Sequence, residues 1–198
     1  MRSRLAIAAA CFCSMTALAQ DQATVSQPDV GVGDSWAYLV IDPYTKETRG
    51  EWLFDVVEVS GSSIKTELNR DGSSSTRIYG RDWSLSKDFL LFSFPLEAGK
   101  KWKSKTSYET SDCGPTSDDL TAEVKGWEDI KVPAGKFRAL RIEHNGFWTS
   151  RCGSGRKLWW YWYVPSVKHF VRFESRAWNP RGQIGFEQVL VLKSMRLQ

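Results

Sequence analysis

The sequence predicts an all-β protein: a single domain built as an antiparallel meander of about ten strands, forming a strongly curved sheet or an open barrel. Three observations lead there. Turn residues punctuate the chain at intervals of about ten residues, the rhythm of a sandwich or barrel. No window carries the sustained apolar period of an amphipathic helix, and at most one helical turn is expected, near Ser84–Asp88. Finally, Leu158–Val164 reads Leu-Trp-Trp-Tyr-Trp-Tyr-Val. As a strand it sets Trp159, Tyr161 and Tyr163 on one face and Trp160, Trp162 and Val164 on the other. Neither face is polar, so both should be covered.

The elements follow from the punctuation. Ser35–Asp42 and Glu51–Val59 flank Pro43–Gly50, and Ser60-Gly61 and Asp71-Gly72 separate strands at Ser63–Asn69 and Thr76–Ser84. Phe89–Phe94 is apolar but for Ser93 and stops at Pro95, where a loop runs to Lys101 before a strand at Trp102–Thr110. Leu120–Trp127 and Lys136–Asn145 flank Val132-Pro133-Ala134-Gly135, where Pro presets the first turn position and Gly supplies a left-handed one. Lys157–Val164, Phe170–Trp178 and Gln183–Ser194 complete the set, with Asn179-Pro180-Arg181-Gly182 as the last turn.

The N-terminus has the form of an export signal over residues 1–19. Arg2 and Arg4 precede a short apolar stretch, and Ala17-Leu18-Ala19 makes a small-residue cleavage site. The stretch is too short for a membrane span, which needs about 20 apolar residues. Lipidation at Cys11, after Ala8-Ala9-Ala10, is a lesser alternative to cleavage after Ala19. Residues 20–33 read as a flexible leader, and 34–198 as the β domain. The formal charge of +4 includes the two arginines of the signal, so the mature balance is close to neutral and carries little weight. Lys100, Lys101, Lys103 and Lys105 form the nearest thing to a basic patch, and at strand spacing they read as a solvated edge; no nucleic-acid partner is expected.

Cys113 and Cys152 remain after the signal, and in an oxidising compartment a disulfide is their default state. In an up-and-down meander the Thr110–Asp119 and Ser150–Arg156 turns fall at the same end of the sheet. A bridge there would close a loop of about 40 residues and stabilise by roughly 3–4 kcal/mol in the chain-entropy model.

Three segments occur in a familiar order. They are Phe94-Pro95-Leu96-Glu97-Ala98-Gly99-Lys100-Lys101-Trp102, then Val132-Pro133-Ala134-Gly135-Lys136-Phe137 with Ala139–Glu143, then Trp160–Pro165 leading to Val167–Val171. Over about residues 90–192 the chain resembles a group of exported bacterial β-proteins of unknown function, the TapB-like group. Val164-Pro165-Ser166-Val167 departs from that group's corner pattern, lacking its alanine and its acid. The resemblance implies curved antiparallel sheets that fold as open barrels, similar in outline to periplasmic lipoprotein carriers, and it implies no activity.

Chemistry is sparse. His144 and His169 have no partner at metal spacing and read as strand-end or half-buried residues. Ser62-Ser63-Ile64-Lys65 and Ser84-Leu85-Ser86-Lys87 match Ser-x-x-Lys outside the helical setting that motif requires, and Gly153-Ser154-Gly155 reads as a turn. Asp118-Asp119 is a weak calcium candidate without a Gly-centred loop. No enzyme activity, metal or cofactor is expected. The ten tryptophans are the better clue. They fill a core, or one face of them lines a cavity. The cavity candidates are Trp160 and Trp162 or the opposite set, Trp159, Tyr161 and Tyr163, with Arg172 or Lys168 orienting a polar head. The expected function is therefore an exported β-barrel-like domain that binds an apolar ligand, lipid or glycan, or a cell-envelope component. The alternatives are an interaction or structural module with an envelope-protein partner and, behind both, an uncharacterised hydrolase. Sequence leaves periplasm and cell exterior both open.

Overall fold

The computed structural model describes residues 24–198. The export segment expected over 1–19, with Cys11, lies outside the described residues. Ten antiparallel strands make one curled, half-barrel sheet. They are β1 (Ser35–Ile41), β2 (Thr48–Ser60), β3 (Ser63–Arg70), β4 (Ser73–Gly80), β5 (Lys101–Thr110), β6 (Gly114–Val132), β7 (Gly135–Ser150), β8 (Gly153–Val164), β9 (His169–Trp178) and β10 (Ile184–Arg196). The helical turn among the described residues is a 3-10 turn at Pro165–Val167, and Ser84–Asp88 is not helical. There the Asp82 carboxylate takes the Ser84 N–H, and Ser86 Oγ takes the N–H groups of Asp88 and Phe89. Side-chain acceptors thus replace the carbonyls that a helix would need.

The turns follow the punctuation. Asp71 and Gly72 both have positive φ, 50° and 88°, the backbone that a two-residue hairpin demands of its central positions. Asn179 Oδ1 accepts from the N–H groups of Arg181 and Gln183, which folds the β9–β10 turn. The expected Thr110–Asp119 turn is much shorter, Ser111–Cys113, and β6 runs on to 19 residues. Thr116, Asp118 and Leu120 of β6 alternate inward and are all buried, so small polar residues here mark a covered face and not a loop.

Strand order is β4-β3-β2-β1-β10-β9-β8-β7-β6-β5. Two local meanders, β1 to β4 and β5 to β10, are joined where the first strand pairs with the last: Ser35 opposite Arg196, Ile41 opposite Val189. The sheet edges are therefore β4 and β5, consecutive in sequence, and the Arg81–Lys100 connection must travel from one edge to the other. It does so over the concave face. Phe89–Phe94, expected as a strand-like run, is instead part of this covering segment.

That segment is irregular, so its backbone carbonyls need partners from elsewhere. Trp102 Nε1 and Ser104 Oγ both donate to the Leu90 carbonyl, at 3.1 Å each. His144 Nε2 donates to the Leu91 carbonyl at 3.0 Å, and from within the segment Lys100 Nζ donates to Pro95 at 2.7 Å. Beneath it, Phe92 meets Tyr161 and Tyr163 at ring distances of 5.5 and 5.0 Å. Trp83, Phe92 and Leu96 are fully buried. Within the 20–33 segment read as a leader, Val25 and Val30 are buried against this core, and Val25 exchanges backbone hydrogen bonds with Leu96.

Both histidines are buried rather than half-buried; His169 does open β9, as a strand-end residue, while His144 lies inside β7. His169 stacks on Trp36 at 5.0 Å, and its Nδ1–H donates to Tyr38 Oη, whose own O–H donates to the Phe170 carbonyl. Burial holds His144 down to about 4 and His169 down to about 3. Both stay neutral in the fold while their unfolded counterparts take up protons below about pH 6.5. Stability should be at its full value above that pH and fall as the pH drops towards 4, by up to about 1.4 kcal/mol per pH unit for each histidine. Urea midpoints measured between pH 7 and pH 4 check this, and His144→Gln should make the fall shallower.

Cys113 and Cys152 are joined, with Cα atoms 5.3 Å apart, and tie the β5–β6 and β7–β8 turns at one end of the sheet. Replacing both by serine should lower unfolding stability by roughly 3 kcal/mol. The double variant's urea unfolding curve, compared with that of the oxidised protein, measures the loss.

Candidate functional site

The covering segment fills only part of the concave face. Beyond it, towards the disulfide end, the inner face of β5 to β10 stays open as a groove of about 830 Å³ whose surface is mostly apolar. Each strand contributes inward residues in register. Tyr108 comes from β5, Trp148 from β7, Trp159 from β8, Phe173 from β9 and Phe186 from β10. Cross-strand pairing aligns them: Trp159 lies opposite Ser175, Lys157 opposite Ala177, and Phe186 opposite Ala177 on the other side.

The groove's wall depends on a missing side chain. Trp148 lies across β8 at Gly155 and donates its indole N–H to the Trp178 carbonyl at 2.8 Å. A Cβ on Gly155 would stand 2.0 Å from that carbonyl oxygen and 2.7 Å from Trp148 Nε1. Gly155, read from sequence as a turn residue, is thus inside β8, where it lets an indole lie flat against backbone.

One charged pair sits at the groove. Lys157 Nζ is 2.6 Å from Asp118 Oδ2, with the lysine side chain 12% exposed and the aspartate 1%. The ammonium lies 4.8 Å from the Trp159 ring centre and 5.5 Å from that of Tyr108, and it donates to Tyr108 Oη at 3.4 Å. Burial raises the Asp118 carboxyl, against the pull of Lys157. Asp119, its neighbour, faces the other way and pairs with exposed Lys105 at 2.7 Å. Strand alternation separates the two carboxylates, so they do not form one calcium site. Among the described residues, no group of three or more potential ligands could hold a metal ion.

The candidate residues of β8 and β9 separate by face. Trp159 lines the groove. Tyr161 and Tyr163 also point inward, but they are buried under the covering segment against Phe92. Trp160, Trp162 and Arg172 lie on the convex face. There Trp162 Nε1 donates to Glu128 and Trp160 Nε1 to Glu143, each at 3.0 Å. Arg141 and Arg172 both stack over the Trp162 ring, at 5.8 and 5.5 Å, and Arg176 over Trp160 at 5.9 Å. These indole surfaces are occupied by the protein's own guanidinium groups, which leaves little ring for a sugar. Lys168 is at the far end, paired at 2.9 Å with buried Asp34, whose other oxygen accepts the Gln198 N–H. It ties the two ends of the domain together and does not reach the groove.

Sequence reasoning missed Lys157, Tyr108, Trp148 and Phe173 as groove residues, and it read Asp118 as half of a calcium pair and not as the partner of Lys157. A signal for the first two existed: Lys157 shares the parity of Trp159 and Tyr161, and Asp118 that of Leu120 and Ala122, so each is a charge at an inward position.

No family model matches the chain, and no curated protein matches it, so the TapB-like likeness stays a resemblance of motifs. Solved structures are similar in fold. A Bacteroides fragilis protein, described as exported and as having a YmcC-like fold, matches with a TM-score of 0.57 at 10% identity, over 88% of this chain and 100% of its own. A Parabacteroides distasonis protein described as a lipoprotein matches with a TM-score of 0.53 at 13% identity, over the same shares of each chain. At these identities the likeness is one of fold: this chain has the single curled sheet that those proteins have.

Proposed function

We propose that this chain is an exported, non-catalytic binding domain that takes an apolar ligand into the concave groove of its sheet. The observation that carries the reading is the contrast between the two parts of one concave face. Under Arg81–Lys100 the face is sealed to fully buried rings, whereas a neighbouring stretch of about 830 Å³, rich in aromatic side chains, is left open. That size lies within the range of small-molecule sites, about 300–1,000 Å³. Several of the exposed large apolar residues, Tyr108, Ile184 and Phe186, also gather at this end. Export is supported by the Arg2-to-Ala19 pattern, by the disulfide, and by the descriptions of the two similar structures as exported and as a lipoprotein. The non-catalytic reading rests on the disposition of groups: Lys157 and Asp118 hold each other, and both histidines are buried outside the groove.

Native mass spectrometry of the mature protein, purified without detergent from the envelope of an expressing cell, tests the reading. An extra mass that disappears on denaturation is expected, and its fragmentation separates lipid from glycan. Ala177→Phe, which fills the groove, should lose that mass, whereas a Trp160→Ala/Trp162→Ala variant on the convex face should keep it. A bare protein in every preparation, or loss on the convex face instead, overturns the assignment.

A further inference from the structure

The Lys157–Asp118 pair says more about the ligand than the groove's shape does. Resting on the binding reading above, we propose that the groove selects an uncharged amphiphile, an apolar chain that ends in an ester or hydroxyl oxygen seated on Lys157.

The argument is one of charge balance in a desolvated place. Lys157 and Asp118 are 2.6 Å apart and almost wholly buried, so together they present no net charge to the groove. An anionic head would have to give up its water for an ammonium whose field is cancelled by the carboxylate directly behind it. A cationic head meets the opposite obstacle. The aromatic seat such a head would use, between Trp159 and Tyr108, is already filled by the Lys157 ammonium at 4.8 and 5.5 Å from the ring centres. The other charged lining residue, Asp112, is exposed in the disulfide turn at the rim, where water screens it.

What the pair does offer is a donor. An ammonium has three N–H groups. Asp118 takes one at 2.6 Å and Tyr108 Oη another at 3.4 Å. The third remains for an acceptor in the groove that Lys157 lines. An ester carbonyl or a hydroxyl accepts that bond without adding charge, and the aromatic walls take the chain. Lys157 and Asp118 come from strands separated by β7, so the seat exists only in the folded sheet.

Three probes of equal chain length, each used below its micelle-forming concentration, separate the outcomes: decanoyl glycerol, decanoate and decyltrimethylammonium. Binding is followed by the tryptophan fluorescence of the full mature protein. Decanoyl glycerol should bind roughly tenfold tighter than either ion, about 1.4 kcal/mol. Asp118→Asn, which leaves the ammonium without its counter-charge, should shift the preference to decanoate. The Asp118→Asn/Lys157→Met double variant, with no charge left, should bind the neutral probe and lose discrimination by Lys157, which keeps the test open if the single variant folds poorly. Tightest binding of decanoate or of the ammonium by the wild-type protein overturns this inference while leaving the binding reading intact. Failure of all three probes to bind, in a folded protein, overturns both.

Discussion

A single curled sheet gives a chain two faces and very little with which to cover the inner one, and the coverage of that face by Arg81–Lys100 is the constraint on which the rest depends. The segment has no ladder of its own. It is held because donors standing on the sheet reach its carbonyls: the Trp102 indole and Ser104 hydroxyl at Leu90, and the His144 imidazole at Leu91. Each is a polar group that would be expensive to bury alone, matched to a carbonyl that would be equally expensive. The aromatic content follows from this. Tryptophan and histidine supply area to the core and a donor at its boundary, which leucine could not do.

The same constraint places the groove. The covering segment closes the half of the concave face near the Pro133 and Pro165 corners and leaves the disulfide end uncovered. Residues of identical parity on one strand therefore have different fates. Tyr163 and Tyr161 are sealed, while Trp159, two residues earlier, borders open space. The convex face settles its own tryptophans differently, by stacking arginines against them and tying their indole N–H groups to glutamates. One run of aromatic residues thus does three jobs, and position along the strand decides between them as much as side-chain alternation does.

This explains what could be read from sequence. Local chemistry was legible: Asp71-Gly72 and Asn179–Gly182 mark their turns, Leu158–Val164 reads as a strand, and the parity of the turns brings Cys113 to Cys152. The cover expected on both faces of that strand is tight on the concave one at Tyr161 and Tyr163, whereas Trp160 and Trp162 on the convex one stay half-buried under arginine side chains. What could not be read is anything that depends on pairs far apart in sequence. Nothing local says that β1 meets β10, and without that pairing the Arg81–Lys100 stretch looks like another strand followed by a loop. The groove inherits the difficulty. Trp159, Trp160 and Trp162 are indistinguishable as residues, and only the path of the covering segment and the curl of the sheet separate them. Lys157 and Asp118 carried a faint signal, a charge at an inward position, but nothing to show that each answers the other.

The pairing of β1 with β10 also sets an order of assembly. These two neighbours inside the sheet belong to opposite ends of the domain, and β10 emerges after the other nine strands during synthesis. Until it arrives, the β1–β4 hairpins and the β5–β9 hairpins share no ladder of hydrogen bonds. Closing a loop that spans most of the domain is slow relative to hairpin formation. A chain with this topology stays as two separate meanders, unjoined at the β1–β10 seam, until its last strand is made.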